Sequence, residues 1–134
     1  MKSVLFIFVV LSLNSFGQDV TKYNAICSSI ATFKDDELKS STSYNKPREI
    51  IYSKELEYIK ISYPENNSSD FFILGEIFDT DMVNYLKIYQ KAHLKNSSNE
   101  EAFIFYWKNG KLIKIQRCLT DLGTLFVTTF DITQ

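Results

Sequence analysis

His93 is the single histidine in a chain of 134 residues, so acid–base chemistry near neutral pH would rest on one side chain. Metal centres that need two imidazoles are excluded on that count. A hydrolytic reading pairs His93 with a carboxylate such as Glu76 or Asp79 as its acid–base partner. The nearby Ser97 and Ser98 offer hydroxyls, but no Gly-x-Ser-x-Gly elbow is present to activate one as a nucleophile. Glu76, Asp79 and Asp81 form the densest acidic cluster, without the glycine and distal glutamate of a calcium loop. Asp79 or Thr80 reads as a helix cap, and Asp81 as a charge set against the positive end of that helix. Gly75, Gly110 and Gly123 are too scattered to build a phosphate-cradling loop. The expectation is therefore no cofactor and no metal.

Cys27 and Cys118 are the two cysteines. An even count in an oxidising compartment favours a bridge, and Cys27 to Cys118 is the one intramolecular option. It would close a loop of about 90 residues, a constraint of about 4 kcal/mol on the unfolded chain. The alternative is two small apolar core residues that never meet.

The compartment follows from residues 1–17. Lys2 is a positive start, Val4 to Leu13 is an apolar run, and Ser15-x-Gly17 sets small residues at the −3 and −1 positions, the three parts of a secretory leader. Cleavage before Gln18 leaves residues 18–134 as a single globular domain. The apolar run is well short of the roughly 20 residues that span a bilayer, and no cysteine follows the cleavage point to take a lipid. The leader ending Phe16-Gly17-Gln18 resembles those of bacterial exported proteins, so the expected location is periplasmic or extracellular, with no transmembrane segment after processing. Lysine plus arginine number 15 against 16 acidic residues, with neither sign concentrated. Without a basic stripe to neutralise phosphates, a nucleic-acid partner is not expected.

The elements that must position these groups read as α+β. Asp19 followed by Val20, Tyr23, Ile26, Cys27, Ile30 and Phe33 predicts an amphipathic helix to about Phe33. Lys34 to Lys46 is polar and reads as a loop closed by Pro47. Glu49–Ser53 and Leu56–Tyr63 alternate as strands joined around Lys54-Glu55, with a helix over 48–59 as the competing reading, and Phe71–Phe78 makes a third strand. Met82, Tyr85, Leu86, Tyr89 and His93 recur at three and four, which predicts a second helix opened by Asp79-Thr80-Asp81. Asn109-Gly110 between Ala102–Trp107 and Leu112–Cys118 marks a two-residue type I′ hairpin. That turn sets Trp107 opposite Leu112, Phe105 opposite Lys114 and Phe103 opposite Gln116. A further turn at Thr120–Gly123 leads to a last strand, Thr124–Ile132. The order α-β-β-β-α-β-β-β implies an antiparallel or mixed sheet of five to six strands carrying two helices.

Aromatics are abundant, with 8 Tyr, 11 Phe and one Trp. Phe103, Phe105 and Trp107 form one row. Left uncovered, that row is a candidate interaction face for a protein partner or a small apolar ligand; covered by the first helix, it is core. The functional expectation is an exported, non-enzymatic envelope protein that binds such a partner or ligand. The alternatives are a small envelope hydrolase using His93, and an inhibitor or immunity-type protein.

Overall fold

The structure, a computed structural model, describes residues 20–133; the expected leader, residues 1–17, lies outside them. Eight strands follow one another: β1 (Val20–Lys34), β2 (Glu37–Ser53), β3 (Tyr58–Tyr63), β4 (Ser68–Met82), β5 (Leu86–Leu94), β6 (Glu100–Lys108), β7 (Lys111–Asp121) and β8 (Thr124–Ile132). Each pairs antiparallel with the next, and β8 returns to β1, closing an up-and-down barrel. The expected α+β sheet with two helices is thus corrected to an all-β barrel. Among the described residues the helical element is one 3-10 turn, Pro64–Asn66. No helix there is long and apolar enough to cross a membrane.

Both expected helices fail for identifiable reasons. In β1 the pairing slips between Cys27 and Ser29, which leaves Ser28 as an inserted bulge residue. Tyr23, Ala25 and Cys27 face inward before the bulge and Ile30 faces inward after it. One extra residue in a two-residue alternation yields spacings of four and three, the same as a helical stripe. The second stripe mixed two strands and two faces. Met82 ends β4, Tyr85 lies in the turn, and Tyr89 and His93 point outward from β5. Ile88, Gln90, Ala92 and Leu94 are the inward set. The polar stretch read as a loop is instead the β1–β2 hairpin, turned through Asp35 and Asp36 at φ of 52° and 61°. Its β2 limb from Glu37 is largely exposed, so it carries no apolar face to announce a strand.

The Asn109-Gly110 turn is present with φ of 52° and 76° at its two central residues, as type I′ requires. Trp107 stands opposite Leu112, and the register then slips: Tyr106 pairs Lys114, leaving Ile113 unpaired. The expected partners of Phe105 and Phe103 are corrected to Ile115 and Arg117. That one-residue bulge sets Ile115 in place of Lys114 opposite Phe105, so the inward face is apolar there.

Inward alternation fills the barrel with Ile50, Ile59, Ile61, Phe72, Phe103, Phe105, Ile115 and Phe130, as eight strands enclose little more than side-chain volume. Phe72 meets Phe103 edge-on at 5.1 Å. The two ends differ. One end, carrying the turns after β1, β3, β5 and β7, is closed by inward polar groups. There Arg48 donates to Glu65 at 2.8 Å, Tyr63 donates to Asp70 at 2.7 Å, and Arg117 grips Glu101 with two bonds of 2.5 and 3.1 Å. Burial works to lower the Arg117 pKa, but the hydrogen bond and charge of Glu101, with the charges of Tyr63 and Asp70, together outweigh it and hold the guanidinium protonated. Both arginines of the chain are committed to this plug.

Candidate functional site at the open end of the barrel

The other end carries the turns after β2, β4 and β6, and there the wall parts. β4 pairs with β3 only through Ile73, apart from one bond from Leu74 N–H to the Glu57 carbonyl. Beyond that point β4 follows β5 alone, with register slips between Leu74 and Ile77 and between Ile77 and Asp79. Bulges of this kind bend a strand away from its ladder. The Gln90 side chain bridges the irregular stretch by donating Nε2 to the Gly75 carbonyl at 2.8 Å. Between the displaced β4 and the β2–β3 turn opens a cavity of about 480 Å³.

Its lining is built by inward alternation on three strands and by the bulged one. β5 supplies Leu86, Ile88 and Gln90; β6 supplies Trp107; β2 supplies Tyr52; β4 supplies Ile77. Leu86 is the register partner of Trp107, Ile88 of Phe105, and Gln90 of Phe103. Tyr52 stacks on Phe105 at 4.9 Å between centroids with planes 27° apart, so the cavity wall stands on the rigid aromatic core. Burial, with a smaller contribution from the charge of Tyr23, pushes the Tyr52 phenol up to about 12; it is neutral at physiological pH. Lys54, Glu57 and Glu76 stand at the rim, and Glu76 is drawn to Lys91 at 3.2 Å. Two features are chemically unsettled. The Trp107 indole N–H is buried with no acceptor, and an unmet buried donor costs about 1–3 kcal/mol. The cavity is also mainly apolar and aromatic with few polar groups, the composition of small-molecule sites.

The aromatic row is placed inside this architecture. Phe103 is 0% and Phe105 1% exposed, so the two do not form an outer face; they make the core beneath the cavity, and Trp107 makes part of its wall. No helix covers the row; closure of the sheet on itself does. Cys27 faces inward beside Phe130, whereas Cys118 pairs with Val127 and Ala102 on the outer face. Both are free thiols. The expected bridge is corrected, because the barrel wall stands between them. Burial raises the pKa of both, Cys118 to about 11, which leaves neither as a reactive thiolate.

His93 lies on the outer wall, in a groove of about 300 Å³ shared with Lys91, Ser97, Ser98 and Glu100. Its side chain makes no hydrogen bond or ion pair among the described residues. Glu76 and Glu100, the nearest acids by register, are both taken by Lys91, at 3.2 and 3.4 Å. Asp79 is the register partner of Tyr89, four residues along β5 from His93 and thus about 13 Å away. Its carboxylate accepts from the Thr80 backbone N–H at 2.8 Å. No cluster of three or more His, Cys, Asp or Glu side chains forms a metal-binding group among the described residues.

Tyr52, Leu86, Ile88 and Gln90 were not among the residues expected at a site from the sequence. An alternation Leu86-x-Ile88-x-Gln90-x-Ala92 was there to be found, masked by Tyr85, Tyr89 and His93 on the opposite face. The chain is matched by no family model, no curated protein and no solved structure.

Proposed function

We propose that the protein is an exported, non-enzymatic binding protein of the cell envelope that holds a small apolar ligand in the open end of its barrel. The observation that carries this reading is the cavity of about 480 Å³ walled by Tyr52, Ile77, Leu86, Ile88 and Trp107. That volume lies within the roughly 300–1,000 Å³ of small-ligand pockets, and an eight-stranded barrel has room for one such molecule. Export is supported by the leader-like residues 1–17. Among the described residues, one end of the barrel is plugged and the other is open. The walls are rigid because their side chains rest on a stacked aromatic core, so little ordering entropy is spent when a ligand enters.

The test uses N-phenyl-1-naphthylamine, an uncharged apolar dye that brightens out of water. Titrated into the protein, it should brighten saturably at one site and quench the fluorescence of Trp107 by energy transfer. Leu86→Glu, at the half-exposed lip, should abolish both signals while leaving the circular dichroism spectrum unchanged. No saturable brightening, or equal brightening with the Leu86→Glu protein, would refute the reading.

A further inference from the structure

We propose that the ligand of this cavity is an uncharged molecule with a ring-bearing apolar body and a hydrogen-bond acceptor, the acceptor being taken up by the Trp107 indole N–H. This rests on the reading that the cavity binds a small molecule and specifies which kind.

The choice of acceptor follows from the balance of polar groups in the wall. Gln90 gives one of its two Nε2 protons to the Gly75 carbonyl, which holds the amide against β4. Trp107 Nε1 donates to nothing, although it is closed off from water. An indole is a donor only, so a ligand group that satisfies it must accept. Because Nε1 is covered, the acceptor reaches it only when a neighbouring side chain moves aside.

Neutrality follows from the distribution of charge. Arg48 and Arg117 both sit at the closed end, bound to Glu65 and Glu101, and cannot serve the open one. The charged groups lining the cavity are Lys54, Glu57 and Glu76, all exposed. A buried anion would therefore meet no buried cation, and would pass two carboxylates on the way in. A cation would find no buried carboxylate in the wall either. Desolvating an ion without a partner is prohibitive next to placing a neutral molecule. The ring-bearing body answers to the walls themselves, since Tyr52 and Trp107 present aromatic surface and ring pairs gain about 0.5–1.5 kcal/mol beyond their area.

The experiment is a displacement series against bound N-phenyl-1-naphthylamine with benzophenone, diphenylmethane and 4-benzoylbenzoate. The first two share shape and differ by a carbonyl in place of a methylene. Water holds the ketone better, so partition alone favours the hydrocarbon. We expect wild-type protein to prefer benzophenone by about fivefold, the worth of one net hydrogen bond. In Trp107→Phe, which keeps an aromatic wall and removes the N–H, the preference should vanish when each competitor is referred to the dye affinity measured on that variant. The benzoylbenzoate anion should compete more weakly than benzophenone. A wild-type preference for diphenylmethane, a ketone preference that survives Trp107→Phe, or a tighter-binding anion would each overturn the assignment. Failure of every compound and of the dye to bind would instead overturn the reading of the cavity as a binding site.

Discussion

Exchanging Arg117 for Met isolates the plug at the closed end from the rest of the barrel. The guanidinium makes two hydrogen bonds to Glu101, at 2.5 and 3.1 Å, and lies 4.8 Å over the Phe72 ring. The Glu101 side chain is 4% exposed and that of Arg117 23%. Met keeps most of the contact with Phe72 but strips Glu101 of its cation, leaving a carboxylate that water barely reaches. Breaking a buried pair in this way costs about 3–5 kcal/mol, and the partial exposure of Arg117 points to the lower figure, about 3 kcal/mol. In a domain of this size that is a drop of about 10–15 °C in melting temperature. Removing both charges, as Arg117→Met with Glu101→Leu, should restore stability to within about 1 kcal/mol of wild type, because neither member of the pair is left buried without its partner. Urea unfolding followed by circular dichroism on the four proteins of this cycle gives a coupling energy of about 2 kcal/mol or more. A double variant no more stable than Arg117→Met, or a single variant within about 0.5 kcal/mol of wild type, would refute the account of the plug.

Phe105→Ser removes a ring that is 1% exposed and stacked on Tyr52, so thermal unfolding should show a loss of about 3–5 kcal/mol; an unchanged melting temperature would return the row to the surface. Alkaline stability should depend on Tyr52: its unfolded phenol ionises near 10.0 and its folded one near 12, so its contribution is intact below pH 10 and is lost as pH rises toward 12, when the unfolded state gives up its proton first. Urea midpoints at pH 9 and pH 11 should therefore differ more for wild type than for Tyr52→Phe, and equal differences would contradict the burial argument.

Legibility in the sequence tracked the range of the interactions involved. The strands over Glu49–Ser53, Ala102–Trp107, Leu112–Cys118 and Thr124–Ile132 were readable because each carries its own alternation or is tied to a two-residue turn. Asn109-Gly110 announced its positive φ angles through residue type alone. The position of the bulge at Ile113 was not readable, since nothing in Leu112-Ile113-Lys114 says which residue drops out of the ladder. With it went the facing of Phe105 and Phe103, and hence the meaning of the aromatic row.

What the sequence determined by itself was the supply of chemistry: one histidine, two arginines, three scattered glycines after residue 17, an abundance of aromatic residues, and an N-terminal run with the form of an export signal. Tertiary structure decided where that supply went. Ring closure of β8 onto β1 turned inward a stripe that read either as an open interaction face or as core beneath a helix, put Cys27 and Cys118 on opposite faces of one wall, and gathered Arg48 and Arg117 from distant strands into one plug. The divergence of β4 from β3 opened the cavity at the other end. A bulge shifts every later side chain to the other face for the insertion of one residue, and its position is set by packing across the barrel rather than by the local string of residues.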